Sequence, residues 1–371
     1  MSRGFTGEKS PDWPTGVYKV SFSSVNLDFK FRRLKILVSG GTGYIGSHTV
    51  VELQQKGHEV VIVDNLCNSS AGVIRQIGKI TGTEPLLEVF DLTDRHRVED
   101  FFGRHAGLDG VIHFAAFKAV GESVQKPLDY YRNNLVSLMN ILEAMHQQRV
   151  LHLVFSSSCT VYGQPESLPV TEEAPLQKAL SPYGNTKRIS EEMIADYAPL
   201  SGIKAVLLRY FNPIGAHPSA LIGELPLGEP NNLLPYITQT AIGKRAALSV
   251  FGADYNTPDG TAIRDYIHVC DLANAHVLAM ERLSKLQQQQ KPEVFNLGTG
   301  HGNSVLEVIQ SFERVSGLKL NYRITDRRPG DIEQVWADVS LAESVLGWKA
   351  VSSLDEMTRS AWNWEKYLAS Q

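Results

Sequence analysis

Lys35–Ser39 reads as a buried strand of a parallel sheet, short and rich in branched residues, and it runs straight into Gly40-Gly41-Thr42-Gly43-Tyr44-Ile45-Gly46. The next stretch, 47–56, has the pattern of a helix and is stopped by Gly57. Without side chains the backbone can turn tightly and approach a pyrophosphate, and the helix N-terminus offers it free N–H groups and a positive dipole end. A second strand, 59–63, ends at Asp64. An acid roughly 20 residues past the glycines hydrogen-bonds adenosine ribose hydroxyls and repels a 2′-phosphate. Asn65-Leu66-Cys67 follows with no arginine, which favours NAD over NADP. A glycine motif alone is a weak signal; strand, helix and terminal acid together make it specific.

A second constellation lies downstream. The run 151–156 is a further buried strand, and Ser158 sits just past its C-terminal end, the edge where open α/β sheets bind ligands. Tyr183-Gly184-Asn185-Thr186-Lys187 opens a helix reaching about Tyr197. A spacing of four puts Tyr183 and Lys187 on one face, one turn apart. An ammonium beside a phenol is expected to lower its pKa from about 10 toward neutrality, and a phenolate serves as general base. A Ser158 hydroxyl beside it would hold a substrate oxygen. The chemistry expected is proton removal from a hydroxyl as a hydride leaves the same carbon.

Strands are expected at Lys35–Ser39, 59–63, 86–90, 110–114, 151–157 and 204–211, with helices between. That alternation means a doubly wound parallel sheet, an α/β Rossmann domain. After Asn212 the prolines 213, 218, 226, 230 and 235 mark irregular loops. Leu248–Phe251 and 294–297 look like later strands, and 284–292 like a polar surface link. Residues 1–34 are polar and irregular, without an apolar core for a signal peptide or a membrane span. At 371 residues, 43% hydrophobic and net charge −4, the chain has no basic excess for nucleic acid or an anionic membrane. Cys67, Cys159 and Cys270 lie far apart without metal-ligand spacing, so no metal is expected, and they suit a reducing, cytoplasmic setting.

From residue 35 to residue 364 the chain resembles the UDP-galactose 4-epimerases of the extended short-chain dehydrogenase/reductase superfamily. The resemblance is carried by 39–46, by His113-Phe114-Ala115-Ala116-Phe117-Lys118, by Ser156-Ser157-Ser158-Cys159-Thr160-Val161-Tyr162-Gly163, by Ser181-Pro182-Tyr183-Gly184, by 209–218 and by 260–269. It implies an NAD-binding domain over 35–212, rejoined by segments of about 239–282, and a smaller, interleaved substrate domain within 213–371. It also implies a homodimer formed through helices near 128–147 and 183–198. The implied reaction is an isomerisation. Tyr183 takes the O4 proton of a UDP-hexose while the C4 hydride goes to NAD; the 4-ketose turns over and the hydride returns to its other face.

The implied cofactor contacts are Gly40, Gly43, Tyr44, Ile45, Gly46, Asp64, Asn65, Asp91, Leu92, Phe114, Ala115, Ala116, Lys118, Asn133, Ser156, Tyr183, Lys187, Tyr210 and Phe211. Substrate contacts are implied for Lys118, Ser158, Tyr183, Phe211, Asn212, Asn232, Leu233, Arg264, Tyr266, Arg328 and Asp331, with Arg264 and Arg328 as diphosphate clamp. Val335 takes the sugar-pocket gate, where some relatives carry a bulky aromatic and others a small residue; a valine there implies room for N-acetylated sugars. A sugar-nucleotide dehydratase would need an acidic pair after Thr160, where Val161-Tyr162 stands. A nonenzymatic NAD-binding module would be expected to lose Ser158, Tyr183 or Lys187. A UDP-pentose or UDP-glucuronate 4-epimerase stays open as the second reading.

Overall fold

Apolar runs without alternation belong to strands covered on both faces, and in the computed structural model such runs form the centre. Met1 and residues 32–328 and 331–371 are described; the expectation for 1–34 falls almost wholly outside them. In chain order the strands are β1 (Lys35–Ser39), β2 (Glu59–Asp64), β3 (Leu86–Val89), β4 (Gly110–His113), β5 (His152–Ser156), β6 (Lys204–Tyr210), β7 (Asn212–Ile214), β8 (Leu248–Phe251), β9 (Ile263–Arg264), β10 (Tyr266–His268), β11 (Glu293–Leu297), β12 (Asn303–Ser304), β13 (Tyr322–Thr325) and β14 (Gln334–Val335). The helices are α1 (Tyr44–Gln55), α2 (Val73–Thr81), α3 (Arg95–Arg104), α4 (Val120–Gln125), α5 (Pro127–Gln147), α6 (Pro182–Ser201), α7 (Leu233–Ala241), α8 (Val269–Lys285), α9 (Val305–Ser316) and α10 (Leu354–Ala369).

Seven strands form one parallel sheet in the order β11-β6-β5-β4-β1-β2-β3. Its two faces bury different residues of the same strand. Ile36 and Val38 of β1 point toward α1, α2 and α8, whereas Leu37 points toward α3, α5 and α6. A third core, built on α7, α9, α10 and β8, gathers Leu234, Ile237, Val250, Phe312 and Met357. Between it and the large sheet lies a small cluster of Val161, Tyr162, Val170, Phe211, Val335 and Ala337.

The return to the large sheet differs from the expected 239–282. α8 packs on the sheet and β11 completes its edge, so the returning segment is 269–297. β8 instead pairs with β13, and its Leu248 and Val250 feed the third core. The join is pinned by Asp265, fully buried between β9 and β10. Its carboxylate accepts from Thr299 N at 2.7 Å, Gly300 N at 3.2 Å and Ala337 N at 3.1 Å. Two segments, 299–300 and the one after β14, are thereby tied to Asp265, and Arg264 and Val335 stand in register with each other across β9 and β14. Among the described residues no helix is long and apolar enough to cross a membrane.

Candidate active site

The glycine loop packs too closely for side chains. A Cβ on Gly40, which has φ +72, would stand 2.8 Å from Ala115 N, and one on Gly46 would stand 2.3 Å from Gly40 O. Gly43 precedes α1 and gives it no side-chain cap, so Tyr44, Ile45 and their neighbours open a helix whose first N–H groups are available to an anion. Asp64 ends β2 beside this loop. One carboxylate oxygen accepts from Thr42 N at 3.2 Å; the other accepts from Leu66 N at 2.9 Å and the Ser69 hydroxyl at 3.2 Å. Asn65 donates to Asp91 at 3.2 Å, and the buried Leu92 gives its carbonyl to Asn140 at 2.8 Å. The N–H groups of Phe114 and Ala115 both reach Ser39 O, which lays the exit of β4, with Ala116 next, along the loop. This cradle fits a dinucleotide: it has room only for backbone, and it has unspent donors with an acid at the ribose end.

Asn133 was the residue expected from α5, but its neighbour holds the frame. Asn134 is buried; it accepts from Phe117 N at 2.8 Å and donates to Phe117 O at 3.1 Å and Thr186 Oγ1 at 3.0 Å. It thus ties the loop after β4 to the helix of Tyr183. Among the described residues, Asn133 donates to Asn134 at 2.9 Å.

Ser156, Ser158, Tyr183 and Lys187 do converge at the carboxyl edge of the sheet. Lys187 is buried, and its Nζ donates to Ser156 O at 2.6 Å. The Ser156 hydroxyl meets that of Tyr210 on β6. Ser158 caps the short turn 159–162, accepting from Thr160 N at 3.3 Å and Thr160 Oγ1 at 3.0 Å, and its hydroxyl lies near enough to the Tyr183 phenol to favour the phenolate. The expected lowering of that phenol is not what this environment produces. Burial pushes Tyr183 up to about 12, the Ser158 hydroxyl opposing it, and pulls Lys187 down to about 7 against the charge of Glu191. A poorly solvated site disfavours both charges, and the ammonium spends its shortest bond on a carbonyl rather than on the phenol.

Across the site the substrate candidates are paired with one another. Arg264 Nη2 donates to Asp331 Oδ1 at 2.8 Å. Glu224, which sequence reasoning missed, accepts from both Asn232 Nδ2 at 2.6 Å and Lys118 Nζ at 3.2 Å, joining Lys118 to the residue before Leu233 and α7. Arg328 is exposed, its guanidinium 4.0 Å from the centre of the Phe251 ring, so the two arginines of the expected clamp stand on different partners. Tyr266 is buried in the third core, opposite Asn212 in the β7–β10 pair. Val335 belongs to the same small cluster as Phe211, and Cys159, the residue after Ser158, packs against that cluster. Val161 and Tyr162 are buried, so no carboxylate stands where a dehydratase would need one.

Residues 36–298 match the NAD dependent epimerase/dehydratase family. The chain is 51% identical to UDP-glucose 4-epimerase 2 of Arabidopsis thaliana over 89% of its own length and 94% of that protein's. Among solved structures it is similar to UDP-glucose 4-epimerase of Stenotrophomonas maltophila with bound NAD and formylated UDP-arabinopyranose, at TM-score 0.87, 50% identity, and coverage of 91% and 99% of the two chains. The enzyme of Bifidobacterium longum in complex with NAD+ and UDP follows at TM-score 0.85, 46% identity, and coverage of 90% and 98%.

Proposed function

The chain belongs to the NAD dependent epimerase/dehydratase family, and we infer that it catalyses the reversible, NAD-dependent inversion of C4 in UDP-glucose and UDP-galactose through a 4-keto sugar. The observation that carries the reading is the meeting of Ser158, Tyr183 and Lys187 at the carboxyl edge, beside a glycine loop with uncapped N–H groups. NAD, when bound, supplies the acceptor that takes the C4 hydride and gives it back, so no net redox occurs. Gly40, Gly43 and Gly46 admit its diphosphate and Asp64 its adenosine ribose. Ser158 and Tyr183 hold the sugar O4, and Tyr183 takes its proton and later returns it. Lys187 offsets the phenolate charge. Arg264, Arg328, Asn232 and Asp331 hold the nucleotide while the ketose turns. The test is purified protein with UDP-galactose and no added cofactor or reductant, followed by NMR. UDP-glucose should appear with the co-purified NAD unconsumed; stoichiometric NADH would mark a dehydrogenase. UDP-pentose and UDP-glucuronate run alongside test the second reading.

One observation extends the substrate range. Val335 lies in the cluster that also holds Phe211 and against which Cys159 packs, where an aromatic would fill the space a C2 acetamide sweeps, so UDP-N-acetylglucosamine and UDP-N-acetylgalactosamine are also substrates in this reading. A homodimer through α5 and α6 is the assembly proposed. Support comes from Leu128, Met139 and Leu200, exposed at 70%, 42% and 83% on those helices; light scattering of wild type against Leu128→Glu tests it. Three unpaired cysteines support a cytoplasmic setting.

A further inference from the structure

The end of β5 and the face of α6 are matched residue by residue. Lys187 donates to the Ser156 carbonyl, the Ser157 hydroxyl donates to Glu191 Oε1, and Ser158 lies near the Tyr183 phenol. Residues 183, 187 and 191 share one helix face because they recur every four positions. Glu191 and Arg209 are 4% and 5% exposed. The guanidinium grips the carboxylate as a fork, Nε to Oε1 at 2.9 Å and Nη2 to Oε2 at 2.6 Å. Its remaining Nη1 donates to the Tyr162 hydroxyl at 3.0 Å, which itself donates to Asn296 at 2.7 Å. A fork anchored at both ends leaves the carboxylate no freedom to rotate.

As a stability device such a pair is poor, since apolar residues of similar volume often do as well or better. Its position offers another reason. Ser157 is the residue next to Ser158, and Lys187 is one turn from Glu191.

We propose that Glu191, clamped by Arg209, is a positioning residue for epimerisation: through Ser157 it fixes Ser158 in register with Tyr183, and its fixed negative charge keeps the buried Lys187 ammonium protonated. The proposal rests on the epimerase reading above. Lys187 shares a helix face with Tyr183 and is faced by Glu191 from α6, by His113 from β4, and by the Phe155 ring and Ser156 carbonyl from β5. His113 is held neutral, its pKa pulled down to about 3 by burial. Glu191 itself is faced by Arg209 of β6 and by Tyr162 of the turn after β5. Among the described residues Glu191 is the anion that supports the ammonium against burial.

The experiment compares wild type, Glu191→Gln and Ser157→Ala as full-length, NAD-loaded enzyme, with kcat and KM for UDP-galactose measured from acid to alkaline pH. Glu191→Gln should lose about ten-fold or more in kcat with KM within about two-fold, and its alkaline limb should move to lower pH, because Lys187 then deprotonates sooner. Ser157→Ala keeps the charge and loses the tether, so its kcat should fall while the limb stays in place. Should Glu191→Gln not fold, because it leaves Arg209 buried and unpaired, Glu191→Gln/Arg209→Met removes both charges and should show the same displaced limb. A folded Glu191 variant with wild-type kcat and limb overturns the proposal, as does a loss that tracks melting temperature with the limb unmoved. Wild type that fails to turn over UDP-galactose removes the epimerase reading and the proposal with it; a wild type that works beside unaffected variants overturns the proposal alone.

Discussion

Tyr183 and Lys187 sit under one pressure that acts on them in opposite directions. Burial holds the proton on the phenol and strips it from the ammonium, so the useful state, phenolate beside ammonium, must be supported by partners rather than by the pair alone. Tyr183→Phe removes the only oxygen on that side chain that can take a proton; kcat should drop about 10²- to 10⁴-fold, with bound NAD retained when assayed by absorbance after denaturation. Lys187→Met should fall as far. Ser158→Ala should lose less than Tyr183→Phe, since the phenol keeps its place on α6 without that hydroxyl. The pair and the serine were legible because helix spacing and strand ends are local properties. Glu191 and Arg209 were not, although they sit within motifs that were read. What gives them meaning is a contact between α6 and β6 across 18 positions, and no local pattern announces which glutamate of an amphipathic helix turns inward.

Elements show the same division between local and distant information. β1, β2 and β4 to β6 were readable within a residue or two of their observed bounds because each is built on a continuous apolar run bracketed by turn residues, and β3 was readable although Glu88 interrupts it. β8 was readable as a strand but not as a partner of β13, for pairing depends on where α7 and α9 leave room. Gly46 belongs to this scale, since its constraint is the fit of α1 under the loop. A Cβ there meets the Gly40 carbonyl at 2.3 Å, so Gly46→Ala should displace the loop and yield enzyme largely free of NAD, with a lowered melting temperature. β14 sets a second test. Val335→Tyr should suppress the N-acetylated reaction and spare UDP-galactose, compared as kcat/KM on the two sugars. Wild type that converts UDP-galactose and leaves UDP-N-acetylgalactosamine untouched would show that another wall closes the pocket.

At the scale of the whole molecule, both faces of the large sheet are bordered by histidines without room to charge. Burial pulls His48 on α1 and His113 on β4 down to about 3 and His276 on α8 down to about 4. Each keeps one ring nitrogen bonded, to Tyr44 O at 2.7 Å, Ser39 Oγ at 2.7 Å and Leu272 O at 2.8 Å. Unfolded, each would titrate near 6.5. The unfolded chain therefore binds more protons below that point, and stability present above about pH 6.5 is lost as pH falls toward the folded values. At about pH 5 the loss is on the order of 2 kcal/mol per histidine, and three such losses compare with the whole stability of a domain. Burial raises Glu52, Glu172 and Asp265, which opposes the trend. Lys187 acts higher, its contribution being lost between its unfolded value and about 7. The melting temperature should thus decline between pH 7 and 5. His276→Phe, which removes a titrating ring packed 4.7 Å from Phe114, should leave stability at neutral pH near that of wild type and shrink the decline, the rest of it staying with His48, His113 and the less buried His217 and His268. An unchanged decline would assign acid sensitivity to the carboxylate pairs instead, which titrate below the histidine window.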